Sequence, residues 1–320
     1  MTPNLGMNER AWALADLCAS RAVELGLAVH TLASGARVID AGVNVPGGLD
    51  AGLALAELCM GGLGHVSAAA VVIGSDTWPG LQIRTDYPAE CCMASQYAGW
   101  AITPPRFFAM GSGPLRAKAR VERELFDKLK YTEETSRGVL VLEGRALPTE
   151  DVAAWVAAKA GIGPSAITFV VAPTASLAGG VQIAARVLET GLHKMDTIGF
   201  DVTRVASAMG TAPLPTLAPS DIRAIGRTND CILYGGCARY VVRATDEELA
   251  DLAERLPSCA SPDYGTPFSE IFKRYDNDFY KIDPMLFSPA EVWLTSATSG
   301  RTFHGGHLNP DVLRASLFED

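Results

Sequence analysis

The run GGVQIAARVLETGLHKM, Gly179 to Met195, reads as one helix and places a guanidinium and a carboxylate, Arg186 and Glu189, one turn apart in otherwise apolar, alanine-rich sequence. At roughly 100° per residue, Val181, Ala185, Leu188, Leu192 and Met195 fall in one narrow apolar stripe that should meet a core. Gln182, Arg186, Glu189 and His193 form a second stripe beside it, whereas Thr190 takes the solvated side. A basic and an acidic group at the rim of a buried face suit chemistry that handles water, because the carboxylate can accept a proton while the cation balances its charge. The same i,i+3 spacing also describes an ion pair on a helix surface. The helix alone leaves both readings open.

Three small-residue loops, GVNVPGG, AMGSGP and APTASLAGG, each follow a predicted strand. Loops of this kind expose backbone N–H groups at a helix start, where anions or carbonyl oxygens are welcome, although ordinary tight turns use the same residues. A fourth polar cluster, GRTNDCILYGG, carries Arg227, Thr228, Asn229 and Asp230, which can hydrogen-bond a polar heterocycle or simply face solvent. Other chemistries are missing from the sequence. There is no P-loop, no H-E-x-x-H, no G-x-S-x-G and no C-x-x-C, and GSGPLR lacks the last glycine of a dinucleotide fingerprint. The HGGH run, His304 to His307, reads as turn chemistry in preference to a metal chelate, and His30 and His65 read as structural; no metal site is expected.

These groups must be positioned by alternating helices and strands, the pattern of an α/β protein. Helices are predicted over Asn8–Leu27, Asp50–Met60, Pro88–Gly99, Leu115 to about Lys130, Pro148–Ala160 with Thr149 as N-cap, from Asp221, and over Asp246–Leu256. Strands are predicted in LAVHTLASGARVIDAG, where two short ones flank a Ser34–Gly35 turn, and in SAAAVVIG, LQIRTDY, RFFAMGSGP, GVLVLEG, AITFVVA and CARYVVRA. The segment TAPLPTLAPSD reads as a loop, and the last 60 residues as loops, short helices and a terminal strand pair. The stretch Arg37–Glu57 lies over Phe169–Glu189 without a gap, with Gly47–Gly48 on Gly179–Gly180 and Glu57 on Glu189. Read as a duplication, it implies two similar α/β domains, 1–150 and 151–320, with the boundary falling near residues 145–165 or the chain crossing between the domains, the second carrying the catalytic helix, with a ligand cleft between them.

The chain has 320 residues, 48% hydrophobic and 20% charged, an ordinary globular composition long enough for two domains. A formal charge of −9 argues against nucleic acid and anionic membranes as partners. No apolar run approaches the ~18 residues of a membrane span, and the N-terminus lacks signal-peptide character. Seven cysteines, an odd number, fit free thiols in a reducing compartment. A cytoplasmic protein is expected.

Taken together, VIDAGVNVPGG, CMGGLGHV, FFAMGSGP, VAPTASLAGGVQIAARVLETGLHKM, GRTNDCILYGG and PSCASPDYGTPFSEIFKRYDNDFYKIDPMLFSPAEV resemble the methenyltetrahydromethanopterin cyclohydrolase family, in order from about residue 30 to the C-terminus. The family occurs in methanogenic archaea and methylotrophic bacteria, and the residues before His30 depart from the archaeal pattern. The resemblance implies a fold largely peculiar to the family, a homo-oligomer, reported as a trimer in relatives, and a pterin carrier bound between the domains. It implies reversible hydrolysis of the methenyl carrier to its N5-formyl form, a step of one-carbon metabolism in methylotrophic formaldehyde oxidation, without metal or separate cofactor. It assigns catalysis to the arginine and glutamate of VQIxxRxxE, here Arg186 and Glu189. The carboxylate would act on water, and the guanidinium would favour its ionised form while burial opposes it. Gln182 is placed in the pocket wall, and Thr174, Ser176, Asn44, Ser112 and Asn229 are candidates for reading the pterin edge. Two rival readings are a metal-requiring enzyme that binds phosphate esters through the Gly-rich loops and a non-catalytic pterin-binding subunit.

Overall fold

The computed structural model describes residues 5–276, 278 and 281–318, so Asn277, Phe279 and Tyr280, inside the block that opens at Pro257, lie outside the described residues. The chain divides into two compact units. The first holds the described residues up to His65 together with Glu90–Gln182. The second holds Val66–Ala89 and the described residues from Ile183 onward. The division therefore differs from the expected cut at 150/151, which falls inside the first unit, and the chain passes from one unit to the other more than once.

The first unit is built on a six-stranded sheet in the order β1-β2-β8-β7-β6-β5, with β1 Ala28–Thr31, β2 Arg37–Asp40, β5 Trp100–Ile102, β6 Ala109–Ser112, β7 Gly138–Glu143 and β8 Ile167–Ala172. Strands β2, β8 and β7 run parallel, and the flanking pairs are antiparallel. Parallel strands are buried on both faces, which is why GVLVLE and ITFVVA read as continuous apolar runs. Val139 and Val141 of β7 join one core with Ala11 and Ala15 of α1 (Met7–Ser20) and Leu55 and Leu58 of α2 (Leu49–Cys59). Leu140 and Leu142, one residue out of phase, join the opposite core with Val152 and Val156 of α5 (Glu150–Ala160).

The structure corrects or refines several expectations here. The charged helix from Leu115 is two helices, α3 (Leu115–Ala119) and α4 (Arg123–Leu129), because Arg120 takes a left-handed conformation with φ 47°. Thr149 stands at the N-cap of α5 but its side chain makes no capping hydrogen bond. The internal echo is not a domain duplication: its two strands, β2 and β8, are hydrogen-bonded neighbours in this one sheet, pairing Val38 with Phe169. The segment predicted as a helix over Pro88–Gly99 is a π-helix, Ala89–Gln96.

The second unit carries a second six-stranded sheet, ordered β12-β11-β10-β9-β4-β3, with β3 Gly64–Ile73, β4 Asp76–Thr85, β9 Val205–Pro213, β10 Cys237–Val242, β11 Glu291–Ser296 and β12 Thr302–Gly306. Strand β9 takes in the start of the segment read as a loop. Burial alternates along β4, as expected where one sheet face packs on a core. That core includes Val71, Ile73 and Trp78 with residues of α8 (Asp221–Leu233), α10 (Phe268–Arg274) and α11 (Pro310–Phe318). Fully buried Asp230 ties the three helices together: its carboxylate accepts from the Phe268 N–H at 2.9 Å and from Ser316 Oγ.

Burial pushes the Asp230 carboxyl up from its ordinary 3.8 to about 7. Between these values the folded chain keeps a proton that the unfolded chain has released, so stability falls as pH rises through that window and levels off above it. Chemical unfolding at a series of pH values should show this slope in the wild type and a shallower one in Asp230→Asn. Equal slopes would exclude Asp230 as its source.

Candidate active site

The segment 179–195 is not one helix. Helix α6 spans Leu177–Ala184 and α7 spans Val187–Thr197, with Arg186 between them as N-cap of α7 at φ −81°, ψ 5°. The Arg186 N–H bonds to Ile183 O at 2.9 Å, three residues back, and the Thr190 N–H to Arg186 O at 2.9 Å, so the chain tightens for one turn and restarts. No proline and no glycine marks the break. Its backbone values lie in the bridge region, where active-site residues recur.

Arg186 and Glu189 are 6% and 5% exposed, with Nη1 3.9 Å from Oε2. This is an ion pair too long for a direct hydrogen bond. Glu189 stands in the first turn of α7, where the unpaired N–H groups favour negative charge. The second unit seats this helix firmly. Tyr240 on β10 donates through its hydroxyl to Leu188 O at 3.0 Å, and a Cβ on Gly191 would lie 2.1 Å from that hydroxyl, so only glycine permits the approach. Five residues beyond Glu189, fully buried Lys194 donates to Pro257 O at 2.7 Å; burial pushes its ammonium down to about 8.

In the first unit, Gln182 on α6 is fully buried. Its Nε2 donates to Glu143 Oε1 at 2.9 Å, and its Oε1 accepts from Cys59 Sγ at 3.6 Å. Ser112, also fully buried, lies 3.5 Å from the same sulfur. Helices α2 and α6 meet closely enough that a Cβ on Gly52 would be 2.5 Å from Val181 Cβ. Glu143 ends β7, while the loops holding Asn44 and Thr174–Ser176 follow the adjacent parallel strands β2 and β8. All three therefore stand at the carboxyl ends of parallel strands, the usual edge for ligands in open α/β sheets.

Two of these loops are braced from within. Buried Asp40 accepts from the N–H groups of Gly42, Val43 and Asn44 at 3.0, 2.7 and 2.9 Å, and from Asn44 Nδ2 at 3.2 Å. Ser176 Oγ donates to Pro173 O at 2.7 Å and accepts from the Gly179 N–H at 3.0 Å, closing the turn that starts α6. Thr174 is half-buried. Asn229 belongs to α8 in the second unit, where Nδ2 donates to Ile225 O at 2.8 Å, so its amide serves helix backbone. His304 pairs with Glu291 Oε1 at 2.8 Å and stacks near Trp293, and among the described residues no group of three or more His, Cys, Asp or Glu is placed to hold a metal.

Glu143, Cys59 and Asp40 escaped the sequence reading. The available signal was a polar residue at the end of an otherwise apolar strand, as in GVLVLE and RVID. No helix among the described residues is long and apolar enough to cross a membrane.

Comparison with known proteins places the chain in a family. The family described as Cyclohydrolase (MCH) matches residues 6–317. The methenyltetrahydromethanopterin cyclohydrolase of Methylobacillus flagellatus is 48% identical over 92% of this chain and 89% of its own length. The enzymes of that name from Methylobacterium organophilum, 45% identical over 97% of both chains, and Methanococcoides burtonii, 40% over 98% of both, are similar throughout. With a match that runs from α1 to the last helix, and with VQIAARVLE forming a buried arginine–glutamate pair at a helix start, the chain belongs to the MCH cyclohydrolase family.

Proposed function

We propose that this chain catalyses the reversible hydrolysis of 5,10-methenyl-tetrahydromethanopterin to N5-formyl-tetrahydromethanopterin, with Glu189 as the acid–base group and Arg186 as its partner. Membership of the family, whose similar members carry that activity in their names, supports the reaction. The observation that carries the residue roles is the burial of both side chains 3.9 Å apart at the start of α7.

The substrate is an amidinium-type cation, N5–CH–N10, whose bridging carbon is electron-poor. A carboxylate beside it offsets its charge and takes a proton from water as the oxygen attacks, giving a tetrahedral carbinolamine. The C–N10 bond then breaks, its electron pair staying on N10. Glu189 returns the proton to N10, and loss of the hydroxyl proton leaves the N5-formyl group. One water is consumed and one proton released overall. Arg186 holds the carboxylate and its water in line. Gln182, on α6, is held by Glu143 at the end of β7 and is read as a wall residue for the carrier. The reaction so written needs no metal, and the chain works as a homo-oligomer.

Loss of the near-ultraviolet absorbance of the methenyl substrate reports turnover. In Glu189→Gln we expect kcat to fall by about 10²–10⁴-fold, the usual worth of a positioned acid–base group, with substrate still bound. Turnover equal to wild type would remove Glu189 from the mechanism. Arg186→Lys should lose ~10-fold or more in kcat, because an ammonium cannot reproduce the planar fork of a guanidinium. Preincubation with a strong chelator should leave the wild-type rate unchanged, and inactivation reversed by a divalent cation would contradict the metal-free scheme.

A further inference from the structure

The largest fully buried side chain is that of Arg116, on the short helix α3. A guanidinium with no exposed surface must have its donors satisfied, and here they reach one carboxylate and three backbone carbonyls. Nε and Nη2 donate to Glu122 Oε1 at 3.0 and 2.6 Å. Nη1 points at the carbonyl oxygens of Met93, Ala94 and Ser95, at 3.3, 3.4 and 3.2 Å.

Those carbonyls end the π-helix. The Tyr97 N–H reaches Cys92 O at 2.8 Å, five residues back, and the Ser95 carbonyl also accepts from the Gly113 N–H at 2.8 Å, so these carbonyls stand at a helix C-terminus that carries partial negative charge. Arg116 caps it with a full positive charge, and the ring of Tyr97 lies 5.1 Å from the guanidinium carbon. A π-helix is a rare, locally widened helix that is frequently found at functional sites.

The capped turn leads toward the catalytic segment through a continuous run of buried groups. Ser95 Oγ donates to Cys59 O at 2.6 Å, at the end of α2. Cys59 Sγ bonds Gln182 Oε1, and Gln182 lies one helical turn before Arg186 along the chain. Ser95, Cys59 and Gln182 are each fully buried. We propose that Arg116 is a positioning residue for the hydrolysis: by locking the last turn of the π-helix against Glu122, it fixes, through Ser95 and Cys59, the side chain of Gln182 and the stretch of α6 that delivers Arg186. The proposal rests on the assignment of Arg186 and Glu189 given above.

The test compares Arg116→Lys, Ser95→Ala and Arg120→Gln with the wild type, measuring kcat and KM for methenyl-tetrahydromethanopterin together with the melting temperature, and expressing rates per folded molecule counted by near-ultraviolet circular dichroism. An ammonium cannot bridge the three carbonyls and Glu122 together. Arg116→Lys should therefore lose about tenfold or more in kcat with KM changed less than ~3-fold, as expected of misplaced catalytic groups. Ser95→Ala, which leaves Arg116 in place and cuts only the bond to Cys59, should show the same split to a smaller degree. Arg120→Gln, which removes an exposed pair with Asp127, should match the wild type. A merely structural arginine would lower the melting temperature and leave kcat per folded molecule intact; that result in both Arg116→Lys and Ser95→Ala overturns the proposal. If Arg116→Lys does not fold, Ser95→Ala decides alone. The wild-type rate measured alongside tests the cyclohydrolase reading separately: an inactive wild type refutes that reading and the positioning role with it, whereas an active wild type with unchanged variants refutes the positioning role alone.

Discussion

Two opposite charges buried together where one helix stops and the next begins set the requirements for everything around them. Unit charges ~4 Å apart attract by about 4 kcal/mol at an effective dielectric of about 20, whereas withdrawing each ion from water costs several kcal/mol. A pair such as Arg186 and Glu189, at 3.9 Å and without a direct hydrogen bond, is therefore a poor device for stability. It makes sense as a device for chemistry. The restart of the helix at Arg186 places Glu189 in the first turn of α7, where helix-start N–H groups favour negative charge.

Each unit meets this requirement with its own means. In the second, α7 is seated on its sheet by a tyrosine hydroxyl, a glycine that admits it, and a buried lysine on the carbonyl of Pro257. In the first, a polar run is set into an apolar sheet-and-helix core, from Arg116 through Ser95 and Cys59 to Gln182, which precedes Arg186 in the chain, and Glu143. Partly satisfied, such a run would destabilise the core; each of these links instead has a named donor and acceptor, which rigidifies it.

Much of this was legible from residue patterns. GVLVLE and ITFVVA read as strands and are strands, the Ser34–Gly35 turn joins the strands expected of it, and Arg186 and Glu189 stand out as charges beside an apolar stripe. What escaped depends on non-local packing. The sequence ARVL consists of residues compatible with a helix interior, so nothing local announces a break at Arg186. Strand β9, VASAMGTAP, is small residues with little β-branched character, and it pairs because β4 and β10 flank it. The echo between Arg37–Glu57 and Phe169–Glu189 was a true likeness of strand, loop and helix, but likeness does not reveal whether two copies lie in one sheet or two. The residue types of Ser176 and Asn229 allow ligand contacts but do not announce the hydrogen bonds that Ser176 makes in the turn before α6 and Asn229 makes to the backbone of α8.

The central claim is that an ionised carboxylate at position 189 accepts the proton of the attacking water. The pH dependence of kcat/KM for methenyl hydrolysis, followed in the wild type and in Glu189→Gln, addresses it most directly. The account predicts an acidic limb in the wild type, where protonation removes the base, and a residual rate in the variant that crosses the same pH range without that limb. A variant whose small remaining rate falls along the wild-type limb would assign the ionisation to another group and contradict the account.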